Sequence, residues 1–160
     1  RELAEAGYNH YEISNFALPG YEAVHNSAYW SHVPYIGLGP AAHSFIVQAD
    51  GESRKYYRRW NNADLNAYIG ASVTSFEHVR GGEILSEKEL SEEKIMLALR
   101  TSSGIDAAYL RGHSEPSVLE RLLARGLLVE VTNGSKHKKS AFRIPEKHLF
   151  ISDSIISDLF

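Results

Sequence analysis

The residues best suited to chemistry form one short cluster, in which residues 25–30 read His-Asn-Ser-Ala-Tyr-Trp. An imidazole such as that of His25 can ligate a haem iron axially, and Tyr29 can act as a second ligand or as a hydrogen-bond donor. Three neighbouring aromatic side chains could flank an apolar macrocycle: Tyr21, Trp30 and Tyr35. The alternative is that His25 and Asn26 satisfy backbone groups in a loop, the commoner role of a single histidine. The residue types alone favour that structural role.

A second unusual segment, residues 35–44, is rich in glycine. The spacing of Gly37, Gly39 and Ala42 superficially matches the G-x-G-x-x-A fingerprint of dinucleotide-binding proteins. The context is wrong, because the preceding strand is short, Pro40 interrupts the turn, and no acidic residue follows about 20 positions later in a βαβ unit. The glycines indicate instead a backbone that turns tightly or approaches another group closely.

The composition excludes several kinds of site. The chain has no cysteine, so it offers no disulfide, zinc ribbon, thiol nucleophile or thiolate ligand for an iron–sulfur cluster. Its eight histidines are dispersed, without a metal-ligand spacing such as HExxH. We therefore expect no constitutive zinc site.

The bulk composition predicts a globular chain, since 43% of its 160 residues are hydrophobic and 23% are charged. This length accommodates one ordinary domain, or a small domain and a piece of another. A net charge of -3 gives no strong field toward nucleic acid or anionic membrane. No apolar run approaches the roughly 20 residues that span a bilayer, and the N-terminus has no targeting pattern. A cytoplasmic location is the default expectation, with membrane contact only through a partner.

The first residues predict the end of an α/β fold. Residues 1–6 have the pattern of the last turns of a helix, with Gly7 as its C-cap. Residues 8–17 are aromatic and predict a strand with Glu12 on one face and Asn15 on the other. A single α–β step cannot bury its own faces. We therefore expect that this chain, which begins without Met and inside a helix, is the C-terminal part of a larger protein.

The central residues predict turns around one helix. A polar stretch at residues 48–55 predicts a loop or hairpin tip, and Gly81-Gly82 predicts a chain break. The helix between them contains Leu65, Tyr68 and Ile69.

Beyond Gly82 the pattern predicts a winged-helix-like module. Ser86 and Glu89 form a capping box that begins a helix closed by Gly104, Asp106 caps a second helix, and a third covers residues 114–126. The remaining predicted elements are a hairpin around an Asn133-Gly134 turn and a closing amphipathic segment: residues 127–132, 139–144 and 149–160.

Winged helices often bind DNA, and this region carries basic side chains that could contact phosphates: Arg111, Arg121, Arg125, Lys136, His137, Lys138 and Lys139. Acidic side chains are interspersed at Glu115, Glu120 and Glu130. A solvated hairpin tip is the commoner explanation, so we expect no nucleic-acid partner and keep DNA binding as an outside alternative.

Three segments resemble a known family: residues 11–17 (Tyr-Glu-Ile-Ser-Asn-Phe-Ala), the motif His25-Asn26-x-x-Tyr29-Trp30, and residues 35–44 (Tyr-Ile-Gly-Leu-Gly-x-x-Ala-His-Ser). They resemble the oxygen-independent coproporphyrinogen III oxidase-like family of radical S-adenosylmethionine proteins, and within it the haem chaperone branch. Looser matches are Arg59, Asn61 or Asn62, Tyr68, and residues 93–100 ahead of Gly104.

The resemblance implies a fold of the α/β plus α+β class. Residues 1–47 would end a partial (βα)6 barrel, residues 48–82 would be a connecting segment with one helix, and residues 83–160 would be the winged-helix-like C-terminal domain. In this family a Cys-x3-Cys-x2-Cys loop in the N-terminal half holds a [4Fe–4S] cluster, with S-adenosylmethionine on its open iron. The absence of cysteine here fits a chain that lacks this half.

The resemblance also implies site residues. Two groups would lie near S-adenosylmethionine: Glu12 and Asn15 on the last barrel strands, and Gly37, Gly39, Ala42 and His43 on the glycine segment. His25, Asn26 and Tyr29 match the H-N-x-x-Y motif associated with haem binding, with His25 as the candidate iron ligand. His43 departs from the residue expected in the true oxidases and favours the chaperone branch.

Two functions follow from the resemblance. The parent would be a haem chaperone that binds haem and transfers it to acceptor proteins, or an oxidase that decarboxylates coproporphyrinogen III to protoporphyrinogen IX. Because this chain carries no cluster ligands, we expect it to be catalytically inactive alone.

Overall fold

The computed structural model describes residues 2–51, 53–71, 78–133 and 139–160. The chain divides into two compact units. One is formed by Arg1–His32 with Ser91–Phe160, and the other by Val33–Leu90. In the described residues the helices are α1 (Glu2–Glu5), α2 (Val24–Trp30), α3 (Leu65–Gly70), α4 (Glu87–Leu99), α5 (Ala107–His113), α6 (Pro116–Ala124), a 3-10 helix (Glu146–Ile151) and α7 (Ser152–Ser157). The strands are β1 (Asn9–His10), β2 (Phe16–Ala17), β3 (His43–Asp50), β4 (Ser53–Asn61), β5 (Val79–Leu85), β6 (Ile105–Asp106), β7 (Val129–Asn133) and β8 (Lys139–Arg143).

The N-terminal helix ends as predicted, but the strand predicted after it is wrong. Gly7 has φ 86°, the left-handed conformation of a C-cap glycine. The following residues form the short antiparallel pair β1–β2, joined by a turn. In that turn the Tyr11 N–H donates to the Asn15 carbonyl at 3.2 Å, and the Asn15 N–H donates to the Glu12 carbonyl at 3.4 Å. Asparagine is common in turns because its side chain can hydrogen-bond to nearby backbone groups. In this segment the turn preference outweighs the β-propensity of the neighbouring aromatic residues.

The C-terminal elements follow the predicted order. Asp106 caps α5 by accepting from the Tyr109 N–H at 2.9 Å, and Gly126 follows the end of α6 with φ 66°. Gly104 does not close α4 as predicted, because α4 ends at Leu99 and Gly104, with φ 67°, lies in the turn before β6. The strands form one antiparallel sheet in the order β6-β8-β7. The helices and this sheet share a core whose fully enclosed members include Ile95, Leu99, Leu110, Leu122, Leu128 and Phe142. The Asn133-Gly134 turn extends outside the described residues.

The second unit is built on the antiparallel sheet β3-β4-β5. Residues 48–55 form the tip of the β3–β4 hairpin, with Gln48 paired to Lys55, so the hairpin-tip prediction is confirmed. The chain break predicted at Gly81-Gly82 is wrong, because both glycines lie inside β5. A Cβ added to Gly81 would approach the Trp60 ring to 2.7 Å, so glycine lets the indole lie against the strand. Residue 47 lies in β3 and residue 82 in β5.

No helix in the described ranges has the length and apolar character that a membrane crossing requires.

Candidate functional site

The motif His25-Asn26-x-x-Tyr29-Trp30 lies on helix α2, so the loop interpretation of these residues is wrong. Residues four apart on a helix share one face, and the rings of His25 and Tyr29 make an edge contact with centroids 4.8 Å apart at 79°. Both side chains are exposed. The helix thus presents an imidazole and a phenol to solvent as a pair.

The other two motif residues are placed differently. The side-chain nitrogens of Asn26 (Nδ2) and Trp30 (Nε1) are buried and have no hydrogen-bond partner among the described residues. Trp30 also lines a cavity of about 320 Å³, together with Ser27 of the same helix and residues 101–104. Of the three predicted haem-binding residues, His25 and Tyr29 are therefore exposed, whereas the side-chain nitrogen of Asn26 is buried.

Exposed apolar surface lies next to the exposed pair in the sequence. Tyr21 and Val24 keep 80% and 84% of their surface accessible. Single exposed apolar residues are common on protein surfaces, but Tyr21 and Val24 lie close in the sequence to the accessible imidazole of His25. A planar apolar ligand carrying a metal could use both features.

Glu12 and Asn15 lie in the turn between β1 and β2, at different depths. Glu12 is 1% exposed, and its Oε1 has no hydrogen-bond partner in the described part of the chain. Its backbone bridges to Thr101. Asn15 is exposed. Glu12 is thus enclosed within its unit, whereas Asn15 is available to a ligand.

The glycine segment belongs to the other compact unit and is held by side chains of that unit. The buried Asn61 donates from Nδ2 to the carbonyl oxygens of Gly37 at 3.1 Å and Gly39 at 2.9 Å. The Gly39 N–H donates to the Tyr68 hydroxyl at 3.0 Å, and the Gly37 N–H donates to Ser44 Oγ at 3.0 Å. Sequence matching left Asn61 and Asn62 as alternatives, and the contacts identify Asn61 as the residue that holds this segment.

The backbone of this segment confirms why glycine is required. A Cβ on Gly37 would lie 2.0 Å from the His43 carbonyl oxygen, and Gly39 has φ 107°. Ala41 also takes a positive φ, 58°. The prediction of a tight turn with a close approach is thus confirmed. His43 itself is exposed, with its ring tilted against Trp60 at 5.9 Å.

The described residues do not fit a resident metal cluster. They contain no group of three or more His, Cys, Asp or Glu side chains arranged to hold a metal ion, and the sequence has no cysteine for an iron–sulfur cluster. A single axial histidine on a haem needs no such group. His25 is not excluded by this finding.

The basic residues considered for DNA contact are partly neutralised. Arg111 pairs with Glu130 at 2.8 Å and lies 4.7 Å over the Phe142 ring, and Arg121 lies 3.5 Å from Asp158. The hairpin-tip residues Lys136, His137 and Lys138, and the Lys139 side chain, lie outside the described residues.

Comparison with known proteins decides the family. No model of a known protein family matches the chain. The chain is 39% identical over 103 residues to "Heme chaperone HemW" of Lactococcus lactis, covering 64% of this chain and 24% of that protein. It is 38% identical over 114 residues to the protein of the same name from Synechocystis, covering 68% and 25%. The chain belongs to the family of these haem chaperones.

A relative of this family in Bos taurus, "Radical S-adenosyl methionine domain-containing protein 1, mitochondrial", is 42% identical over 106 residues, covering 64% of this chain and 23% of that protein. The chain thus spans about a quarter of the length of the relatives it matches. Among solved structures, the coproporphyrinogen III oxidase HemN of Escherichia coli, a radical SAM enzyme, matches with a TM-score of 0.63 and 15% identity, over 99% of this chain and 38% of that one. This likeness shows that the chain adopts part of the mixed α/β fold of that enzyme.

Proposed function

We propose that this chain supplies the haem-binding surface of a radical S-adenosylmethionine protein, and that the parent is a haem chaperone that passes haem to acceptor proteins. The observation that carries the proposal is the exposed His25–Tyr29 pair on α2, with ring centroids 4.8 Å apart. The names of relatives 38–39% identical to this chain support it.

His25 would hold the haem iron. Haem brings an iron that accepts an imidazole nitrogen as an axial ligand, and among the described residues the His25 ring contacts Tyr29 without making a hydrogen bond. Tyr29 would orient the imidazole by the edge contact, and Tyr21 and Val24 would cover part of the macrocycle. A ligand held on an exposed helix can leave without opening a core, as a transfer protein requires.

The cluster and S-adenosylmethionine would belong to the remainder of the parent. The residues that we assign to the S-adenosylmethionine region are Glu12 and Asn15 in one unit, and Gly37, Gly39, Ala42 and His43 in the other. Under this proposal, residues 1–47 end the partial barrel, residues 48–82 connect, and residues 83–160 form the winged-helix-like domain.

The oxidase alternative has weaker support. The chain is only 15% identical in sequence to the oxidase, so this structural similarity supports a shared fold and not a shared activity. The more similar relatives bear the name of haem chaperones. Haem transfer is therefore the function that we propose.

A haem titration tests the proposal. Added haem should produce a saturable Soret band in the wild-type chain, and His25→Ala should weaken the apparent affinity by at least about tenfold, or 1.4 kcal/mol. His113→Ala is a matched control, because His113 is also an exposed helical histidine but caps its own helix by a 2.8 Å bond to the Tyr109 carbonyl. Equal titration curves for wild type and His25→Ala would refute the assignment.

A further inference from the structure

The C-terminal end of helix α2 has an unusual backbone conformation. The Ser31 N–H donates to the Ser27 carbonyl and the His32 N–H to the Tyr29 carbonyl, both at 3.0 Å. His32 then takes φ 56°. Helices often end on a left-handed residue, but it is usually glycine, because a residue with a Cβ is strained in that conformation. A histidine at this position therefore needs a compensating contact.

Glu93 of helix α4 supplies that contact. His32 Nε2 lies 2.9 Å from Glu93 Oε2, and the two side chains are 15% and 17% exposed. A hydrogen bond to a carboxylate is about twice as strong as one between neutral groups, and partial burial limits its screening by solvent. Further along α4, Ile95 and Leu99 are fully enclosed in the core.

Helix α2 is short and only partly buried. It has seven residues, no fully buried side chain, and no side-chain cap at its N-cap residue Ala23. Helices this short are marginal in water without tertiary contacts. The bond between His32 and Glu93 thus links the end of this short helix to α4 of the same unit.

We propose that His32 is a positioning residue for the haem site. Its bond to Glu93 fixes the end of α2, so that His25 and Tyr29 face outward while the Asn26 and Trp30 side-chain nitrogens stay enclosed. His32 does not contact the ligand in this scheme. The inference rests on the proposed haem-binding function of His25.

Two readouts separate this role from a general structural one. The first is amide hydrogen exchange of residues 27–32 in the haem-free chain, and the second is the apparent haem affinity from the Soret band. His32→Ala and Glu93→Ala should each speed exchange in this segment and weaken haem binding about three- to tenfold, the range expected for one lost hydrogen bond. The loss in the double variant should be smaller than the sum of the two single losses, since both substitutions remove the same contact.

Two further variants complete the test. His32→Gly relieves the left-handed strain but lacks the imidazole, so it should still bind haem more weakly than wild type. His113→Ala should leave both readouts unchanged. If haem binding depends on His25 but is unaffected by His32→Ala and Glu93→Ala, the positioning role is refuted and the proposed function stands. If haem binding does not depend on His25, the proposed function and this inference are both refuted.

Discussion

The side-chain amide of Asn61 donates a 2.9 Å hydrogen bond to the carbonyl oxygen of Gly39. The same nitrogen donates to the Gly37 carbonyl at 3.1 Å. Asn61 is the last residue of β4 and is buried. One amide group thereby fixes the shape of the glycine segment from the sheet of its own unit.

Removing this amide should destabilise the unit. Asn61→Ala leaves two carbonyls without their donor, and a buried polar group without a partner costs about 1–3 kcal/mol. Urea denaturation should show this loss, whereas Asn66→Ala, at an exposed position of α3, should change the free energy of unfolding by less than about 0.5 kcal/mol. Equal effects of the two substitutions would show that Asn61 does not hold the segment.

Ala41 is a position where glycine should be better. The Ala42 N–H donates to the Gly39 carbonyl at 3.3 Å, and Pro40 followed by a residue at φ 58° is the pattern of a type II turn, which favours glycine third. Ala41→Gly should raise the free energy of unfolding by up to about 1 kcal/mol, since relief of left-handed strain exceeds the entropy cost of glycine. The control Ala42→Gly, which lacks this strain, should lower it; a loss of stability in both variants would contradict the turn assignment.

Gly37 should not tolerate a side chain. Its Cβ would lie 2.0 Å from the His43 carbonyl oxygen, so the backbone must move. Gly37→Ala should cost more than about 2 kcal/mol by thermal denaturation. Gly70→Ala is the control and should be close to neutral, because among the described residues no atom outside its own helix and chain neighbours lies within 4 Å of the added Cβ.

The sequence predicted the C-terminal elements well because their signals are local. The Ser86 Oγ accepts from the Glu89 N–H at 3.2 Å, while Glu89 Oε2 accepts from the Ser86 N–H at 2.8 Å, as a capping box requires. Asp106 caps α5 in the same way. Such signals need only residues three positions apart, so a sequence shows them directly.

The elements that the sequence missed depend on distant partners or lack end signals. The strand through Gly81 pairs with β4, where Trp60, 21 positions earlier, lies opposite the glycine and packs against it. Helix α2 begins after Ala23, whose side chain makes no cap. The His25-x-x-x-Tyr29 spacing therefore indicated the candidate residues but not the helix. The contacts of Asn61 with the glycine segment and of His32 with Glu93 join residues far apart in the sequence, so no local pattern predicts them.

Glu130 should make the C-terminal sheet sensitive to acid. Hydrogen bonds from Ser140 and then Arg111 lower the pKa of this exposed carboxyl from its usual value of 4.5. Because the folded pKa lies below the unfolded one, the stabilisation is present above the unfolded pKa and is lost as the pH falls through the folded pKa. Glu130→Gln should flatten the dependence of Tm on pH below about pH 5. Glu120→Gln, at an exposed position of α6, should leave the slope unchanged, and an unchanged slope in Glu130→Gln would contradict the prediction.

The most direct test of the account is whether a nitrogen of His25 binds the haem iron. Pulsed electron paramagnetic resonance on the ferric-haem-loaded chain, with histidine labelled by ¹⁵N, detects a ring nitrogen bonded to iron. We predict a ¹⁵N hyperfine coupling in the wild type and in His113→Ala that disappears in His25→Ala. The same coupling in His25→Ala, or none in the wild type, would contradict the proposed haem site.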